Sequence, residues 1–358
     1  MNYYIEEQFY SKSRTFKSAA SKARTDIESI FSSLKYQPIK IEIIPRKGNM
    51  DYVSTNLKNH FQVMLLWNAA IQNVKQGDRL FIQIPLQQHS IFLSAVLKRL
   101  IKKGVEVITV IHDLESVRVV KRADISAVKA YILKKEEKFF LKWSSKLIVH
   151  NDSMKKDLIK KGVSATKLIS LQIFDYLMPD YDTQIMDKKF DRSQPIIIAG
   201  TLRPHKADYV YHLPAILNFN LYGVGYIKND LPNIRYKGVF NPNELPYHLQ
   251  GSFGLVWDGN STQTCSGIYG DYLRINSPHK LSLYLAAGIP VIVWKEAAVA
   301  NFVMVNNCGL VVKSLLEIKS KIDAMSDEEY SGMKKNARNV GKLLRSGLVL
   351  KELLNQLG

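Results

Sequence analysis

Cysteine is nearly absent from this 358-residue chain: only Cys265 and Cys308 are present. Two widely spaced thiols make neither a zinc-ligand pattern nor a disulfide scaffold. No apolar run reaches the roughly 18 residues that a membrane-spanning helix requires. The opening MNYYIEEQFY lacks a basic stretch followed by a long apolar one. No cleavable signal peptide is therefore expected, and the expectation is reduced thiols in a cytoplasmic protein. No metal-binding carboxylate pair stands out, so no metal and no cofactor are expected. A Walker loop, a dinucleotide fingerprint and a serine nucleophile elbow are also missing, which argues against the usual NTPase, dehydrogenase and hydrolase readings. Acidic residues are scarce beside basic ones, 32 against 50, for a net charge of +18.

That positive charge is uneven. Residues 1–175 hold 30 Lys/Arg against 16 Asp/Glu, or +14, and residues 176–358 hold 20 against 16, or +4. Nucleic acid, an anionic membrane surface and a diphosphate substrate all suit such a field, as does a merely solvated basic surface. With no zinc-finger spacing, RNP motif or basic zipper, nucleic acid is the weakest of these. Basic pairs such as Lys98-Arg99, Lys102-Lys103, Lys134-Lys135 and Lys160-Lys161 lie in segments of helical pattern, where they can rest against anionic headgroups.

The hydrophobic fraction, 46%, and the length suit two α/β domains. Strands are expected at 1–7, 39–45, 79–84, 105–112 and 146–150, with helices at 23–34, 61–74, 91–103, 127–143 and 152–162. Asp152 or Ser153 is the expected N-cap of the last helix. A polar stretch at 176–194, containing Pro179 and followed by Pro195, reads as a linker between an N-terminal domain, 1–175, and a C-terminal one, 195–335. The second series has strands at 196–199, 219–222, 234–237, 253–256, 291–294 and 309–312. The tail at 326–357 reads as amphipathic helix, with 336–358 set apart as a C-terminal helix able to return to the first domain. Strands alternating with helices predict parallel, doubly wound sheets, with chemistry in the loops after the strands.

The sharpest local signal is 276–293. A polar loop, Asn276-Ser277-Pro278, opens a helix that ends at Gly288, and Pro290 starts a buried strand. The first-turn N–H groups and the helix dipole favour an anion, with His279 and Lys280 adding donors, so a diphosphate is a suitable guest. An ordinary capped helix is the alternative. The run Pro278-x-Lys280-Leu281-x-x-Tyr284-Leu285-Ala286-Ala287-Gly288-x-Pro290-Val291-Ile292 resembles the donor-site helix of GT-B glycosyltransferases. Residues 277–288 are similar to a bacterial subgroup that includes β-1,6-galactofuranosyltransferases and glucosyltransferases acting on surface polysaccharides and adhesins. Residues 265–273, 111–115 and 21–27 share that pattern, so the resemblance spans nearly the whole chain. The family implies two Rossmann-like domains with parallel sheets facing a central cleft. It also implies a UDP-hexose donor and a metal-independent reaction. The acceptor would be a glycan, lipid-linked or protein-linked. Galactofuranose is favoured on the run at 21–28, with glucose next. One departure stands out. Many retaining relatives carry a Glu three residues after the Lys, where Leu283 stands here, so the ribose is expected on Asn276 or Ser277.

Other candidates follow from the resemblance. Gly200 to Lys206 matches a phosphate-contacting loop, with Lys206 as the family lysine and Arg203 as a substitute for the usual arginine. Two solvated basic residues are the alternative. Tyr222-Gly223 lies where a tyrosine could stack on uracil, or where a core tyrosine precedes a turn glycine. Asp258 ends a strand, as a sugar ligand or a loop cap. His112-Asp113 ends a strongly apolar strand, as a general base or a sugar ligand, or as a packed histidine beside a helix cap. The loop 11–22, with Ser18, Ser21 and Lys22, can approach a phosphate or the transferred sugar, or form a mobile lid. Leu281 completes the donor-helix set. A non-catalytic sugar-nucleotide-binding subunit stays open as an alternative to an enzyme, and a homo-oligomer is open.

Overall fold

The computed structural model describes residues 1–9, 19–44, 56–118, 125–187, 190–228 and 231–357. The chain divides into two compact units, one formed by 1–15 and 28–170 and the other by 16–27 and 171–358.

The first unit is built on a six-stranded sheet: β1 (Asn2–Phe9), β2 (Gln37–Ile43), β3 (Arg79–Ile84), β4 (Glu106–Ile111), β5 (Lys146–Val149) and β6 (Leu168–Ser170). Its order is β2-β1-β3-β4-β5-β6, with every pair parallel. Strands β3 and β4 are buried at five of six positions, as continuous apolar runs covered on both faces must be. From β2 onward the chain crosses the sheet in one direction, so right-handed crossovers put the connecting helices on one face. Leu57–Ala70 packs on Leu93–Lys102, which packs on Ala127–Trp143. Asn151, rather than Asp152 or Ser153, caps Asp152–Lys160 by accepting from the Met154 N–H at 3.0 Å.

The second unit carries β7 (Ile196–Ala199), β8 (Phe219–Tyr222), β9 (Ile234–Tyr236), β10 (Gly254–Val256), β11 (Val291–Trp294) and β12 (Gly309–Val312). All pairs are parallel in the order β12-β11-β10-β7-β8-β9. The chain reverses direction between β7 and β10. Ligands of open α/β sheets bind beyond the strand C-termini at such a switch point.

Two expectations about domain boundaries change. The segment at 176–194 is no free linker: Tyr176, Met178, Met186 and Phe190 are buried in the core of the second unit. The tail is two helices, Asp327–Arg345 and Leu348–Asn355, separated at Gly347, whose φ is 71°. Both belong to the second unit. The first packs on His279–Ala286, and a Cβ at Gly341 would meet the Leu285 carbonyl at 2.1 Å. Arg345 donates to the Ala286 carbonyl at 2.6 Å, which satisfies the C-terminal end of that helix with a cation.

Candidate active site

Three loops converge at the switch point of the second sheet: 200–206 after β7, 257–259 after β10, and the start of helix His279–Ala286. Gly259 N donates to the Lys206 carbonyl at 2.9 Å, and Tyr209 N to the Gly259 carbonyl at 3.3 Å, so the first two loops are stitched by backbone. Tyr284 ties in the helix, its hydroxyl accepting from Ala199 N at 2.7 Å.

Lys280 is held where these loops meet. Its Nζ donates to the Trp257 carbonyl at 2.7 Å and to Asp258 Oδ1 at 2.9 Å. Burial pushes the ammonium below its ordinary value and the Lys206 charge adds to that, while the Asp258 carboxylate opposes both. An ammonium has three N–H donors, so two protein acceptors leave one for an anion. Asp258 thus acts as the counterion of Lys280. Lys206 is half-buried, with its ammonium 5.6 Å from the Tyr269 ring centre. Arg203 is exposed and its side chain lies over Gly225, where a Cβ would come within 2.2 Å of it.

At the helix start, Pro278 is the N-cap residue and the His279 and Lys280 N–H groups lack intrahelical partners. Ser277 is committed elsewhere: its Oγ donates to the Gln172 carbonyl at 2.8 Å. Asn276 differs, being 9% exposed with no hydrogen-bond partner on its Oδ1. A buried carbonyl oxygen with no donor is costly unless a ligand hydroxyl or water supplies one, which favours Asn276 over Ser277 for a polar ligand. His279 carries no charge. Burial, then the charge of Lys22, lowers its pKa to about 3, and its ring packs on Tyr176 with centroids 5.0 Å apart. It offers a diphosphate no cation. Leu281 is fully buried and belongs to the core, as does Leu283.

Lys22 is not presented to a ligand. Its Nζ donates to Asp26 Oδ1 at 2.6 Å and to the Leu177 carbonyl at 3.0 Å, and sits 4.8 Å from the Tyr176 ring centre. Leu177 N returns a bond to Asp26 at 3.0 Å. The pair therefore clamps helix Ala19–Ser33 to the 171–178 segment. Ser21 is half-buried on the first turns of that helix, and Ser18 lies outside the described residues.

Tyr222 is a core residue. It is 1% exposed, and its hydroxyl accepts from Gln250 N at 3.1 Å, so its ring offers no face to a base. Gly223, at φ 136°, lets the β8 loop touch the Gly200 backbone. The aromatic rings beside this loop are others. Tyr226 lies 5.8 Å from Tyr211 and 5.2 Å from Tyr236, and the Tyr236 hydroxyl donates to the Gly223 carbonyl at 2.9 Å. Sequence reasoning missed them, although the density of tyrosines after β7 was a signal. It also missed the triplet Asp180-Tyr181-Asp182, whose second carboxylate caps a short helix by accepting from Gln184 N at 2.7 Å. Among the described residues no group of three His, Cys, Asp or Glu side chains could hold a metal ion.

In the first unit, His112 follows β4. Its Nε2 is 2.7 Å from Gln83 Oε1, its N–H donates to the Ile84 carbonyl at 2.8 Å, and its carbonyl accepts from His150 Nε2 at 2.8 Å. His150 is fully buried and, for that reason first, its pKa falls to about 4, so it acts as a neutral donor. Asp113 pairs with Arg118 at 2.7 Å, and Arg118 also binds Glu115 at 2.9 Å. Of the two candidates, Asp113 has its charge engaged, whereas His112 is half-buried with one ring nitrogen fixed on Gln83.

The N-terminal domain model of the glucosyltransferase 3-like family matches residues 2–173, and its C-terminal domain model matches residues 196–357. The β-1,6-galactofuranosyltransferase WbbI of Escherichia coli (strain K12) is 30% identical over 359 aligned positions, covering 99% of this chain and 97% of that protein. Among solved structures, the sucrose-phosphate synthase of Thermosynechococcus elongatus aligns with a TM-score of 0.63 at 13% identity, covering 100% of this chain and 99% of its own. Anabaena Alr3699/HepE, solved in complex with UDP, aligns with a TM-score of 0.59 at 10% identity, covering 100% and 99%. The architecture is GT-B, and the chain belongs to the glucosyltransferase 3-like family of glycosyltransferases.

Proposed function

We propose that this glycosyltransferase moves a hexosyl group, galactofuranose in the first instance and glucose in the second, from a UDP-sugar to a cell-surface polysaccharide or glycoprotein acceptor, without a metal ion. The observation that carries the donor side is the start of helix His279–Ala286, where Lys280, Lys206, two helix-end N–H groups and the unpartnered Asn276 oxygen lie together. Fixed positive charge and N–H dipoles at a water-poor site offset the charge that grows on a departing diphosphate, the task a metal performs in other enzymes. Galactofuranose is supported by the likeness to WbbI, glucose by the family's name, and UDP by the ligand of Alr3699/HepE.

In the reaction, an acceptor hydroxyl oxygen bonds to the anomeric carbon. The bond from that carbon to the diphosphate oxygen breaks, and its electron pair leaves with UDP. His112 takes the hydroxyl proton. Thermal-shift measurements over UDP, UDP-glucose, UDP-galactofuranose, GDP and CMP test the donor. A ligand at a hundred times its Kd adds about 2.7 kcal/mol of stability, so the uridine ligands should raise Tm by several degrees and GDP and CMP should not. Transfer should survive EDTA. Stabilisation by UDP without transfer or hydrolysis of any UDP-hexose would favour the non-catalytic subunit instead.

The same proposal places the enzyme at an anionic membrane surface, which a lipid-linked acceptor would require. Arg99, Lys102, Lys103, Lys134, Lys135 and Lys138 are exposed on two neighbouring helices of the first unit. On that sheet face Leu57, Phe61, Leu65 and Tyr131 are exposed too, between 48% and 64%. Each such basic residue near a charged bilayer contributes about 1 kcal/mol. Co-sedimentation with liposomes should appear with anionic lipid, vanish with neutral lipid and fall with salt. Equal recovery in both supernatants would remove the membrane part and leave the transferase untouched.

A further inference from the structure

Two side chains that neither the family motif nor the proposed reaction assigns are linked in series to His112. Gln83, 4% exposed near the end of β3, has its amide between two groups. Its Nε2 donates to Glu28 Oε1 at 3.2 Å, and its Oε1 is 2.7 Å from His112 Nε2. Glu28 lies on helix Ala19–Ser33, and all three residues belong to the first unit.

The chemistry of the donors and acceptors fixes the direction of this series. An ionised carboxylate only accepts hydrogen bonds, so the amide atom facing Glu28 must be the NH2 group. That turns the amide oxygen to His112, and a carbonyl oxygen also only accepts. His112 Nε2 therefore carries a hydrogen, and in the neutral ring the lone pair resides on Nδ1. Backbone contacts hold the main chain of the residue from both sides, through the Ile84 carbonyl and the His150 ring.

We infer that Glu28 and Gln83 are positioning residues for the transfer reaction, setting the tautomer of His112 so that Nδ1 is the nitrogen that accepts a proton or hydrogen bond from a sugar hydroxyl. This rests on the proposed role of His112. Glu28 acts by its inability to donate. A glutamine there can donate or accept, so the Gln83 amide loses its preferred orientation and can present N–H to the ring, which moves the imidazole hydrogen to Nδ1. The base then points the wrong way, although shape and packing are unchanged.

The test uses the full chain labelled with 15N-histidine. Nitrogen shifts distinguish the protonated from the lone-pair nitrogen, and the His112 signals are assigned by their loss in His112→Asn. The native protein should show hydrogen on Nε2. Glu28→Gln should show a mixture of tautomers and lose roughly tenfold in kcat, and Gln83→Leu should lose on the order of a hundredfold, the scale of one proton-transfer group. UDP affinity and KM for the donor should stay within twofold in both. Glu28→Gln changes one atom on a half-buried side chain, so it keeps the test available if Gln83→Leu folds poorly. Glu28→Asp, which again can only accept, should restore the single tautomer. An unchanged Nε2–H tautomer with native kcat in Glu28→Gln would overturn the inference. If instead His112→Asn transfers normally, the role of His112 as base falls, while the nitrogen shifts still decide whether Glu28 sets the tautomer.

Discussion

Lys280→Ala is expected to lower transfer by two orders of magnitude or more and, unlike an ordinary surface truncation, to lower thermal stability as well. The loss of catalysis follows from the third N–H of the ammonium, which the protein leaves for an anion while Trp257 and Asp258 hold the other two. One charge-assisted bond contributes about 1.5–3 kcal/mol, a factor of roughly 10 to 150, and weakening of the neighbouring Lys206 contact would add to it. The loss of stability follows from the partner. The Asp258 side chain is 9% exposed, and truncation of Lys280 leaves its carboxylate with no counterion. Breaking a buried pair in this way costs on the order of 3–5 kcal/mol. From sequence alone the same substitution reads as neutral to the fold, because the pairing joins two loops and is invisible in local spacing.

The two effects can be separated. Asp258→Asn added to Lys280→Ala removes the orphaned charge, so Tm should recover much of its loss while transfer stays absent. Measuring kcat and Tm for the single and double variants decides the matter. Recovery of activity in step with stability would reduce Lys280 to a structural lysine, and native turnover in folded Lys280→Ala would end the donor-site assignment.

Legibility in the sequence followed the range of the interactions. The strands Ile196–Ala199 and Val291–Trp294 are read to the residue because buried parallel strands are continuous apolar runs, and the donor helix because Gly288 stops it at φ 81°. Strand Leu168–Ser170 escaped, since three residues carry no period. The segment at 176–194 read as a linker because its buried anchors, such as Tyr176 and Phe190, are too sparse to form a pattern. Tyr222 shows a different limit: β8 is buried at all four positions, so alternation cannot tell which side chains face a ligand. Lys22 and Asp26 stand at helical i, i+4 spacing, and that was a readable sign of a pair rather than of a phosphate contact. The link from Glu28 through Gln83 to His112 joins side chains far apart in the chain, so no local spacing reveals it.

Gly223→Ala is expected to disrupt the loop after β8 and with it the proposed UDP binding, and Gly200→Ala to do markedly less. Both glycines lie in the region that L side chains rarely adopt, at φ 136° and 134°. Each substitution therefore carries backbone strain of about 1–3 kcal/mol. The surroundings differ. A Cβ at Gly200 meets nothing within 4 Å, whereas one at Gly223 would lie 1.8 Å from the Gly200 carbonyl oxygen. That oxygen cannot swing away cheaply, because Gly200 N is bonded to the Tyr222 carbonyl at 2.9 Å and Leu202 N to the Val224 carbonyl at 2.8 Å. Nor can Gly223 retreat: its N–H is held by the Gly238 carbonyl at 2.9 Å and its own carbonyl by the Tyr236 hydroxyl. Overpacking adds about 1–3 kcal/mol or more to the strain, so Gly223→Ala should fall below Gly200→Ala by several degrees in Tm. Because the clash pushes apart the loops that carry Gly200 and Lys206, UDP affinity measured by calorimetry should fall with it. Equal Tm values for the two variants, with native UDP affinity in both, would mean that the close approach of these loops is not what shapes the nucleotide site.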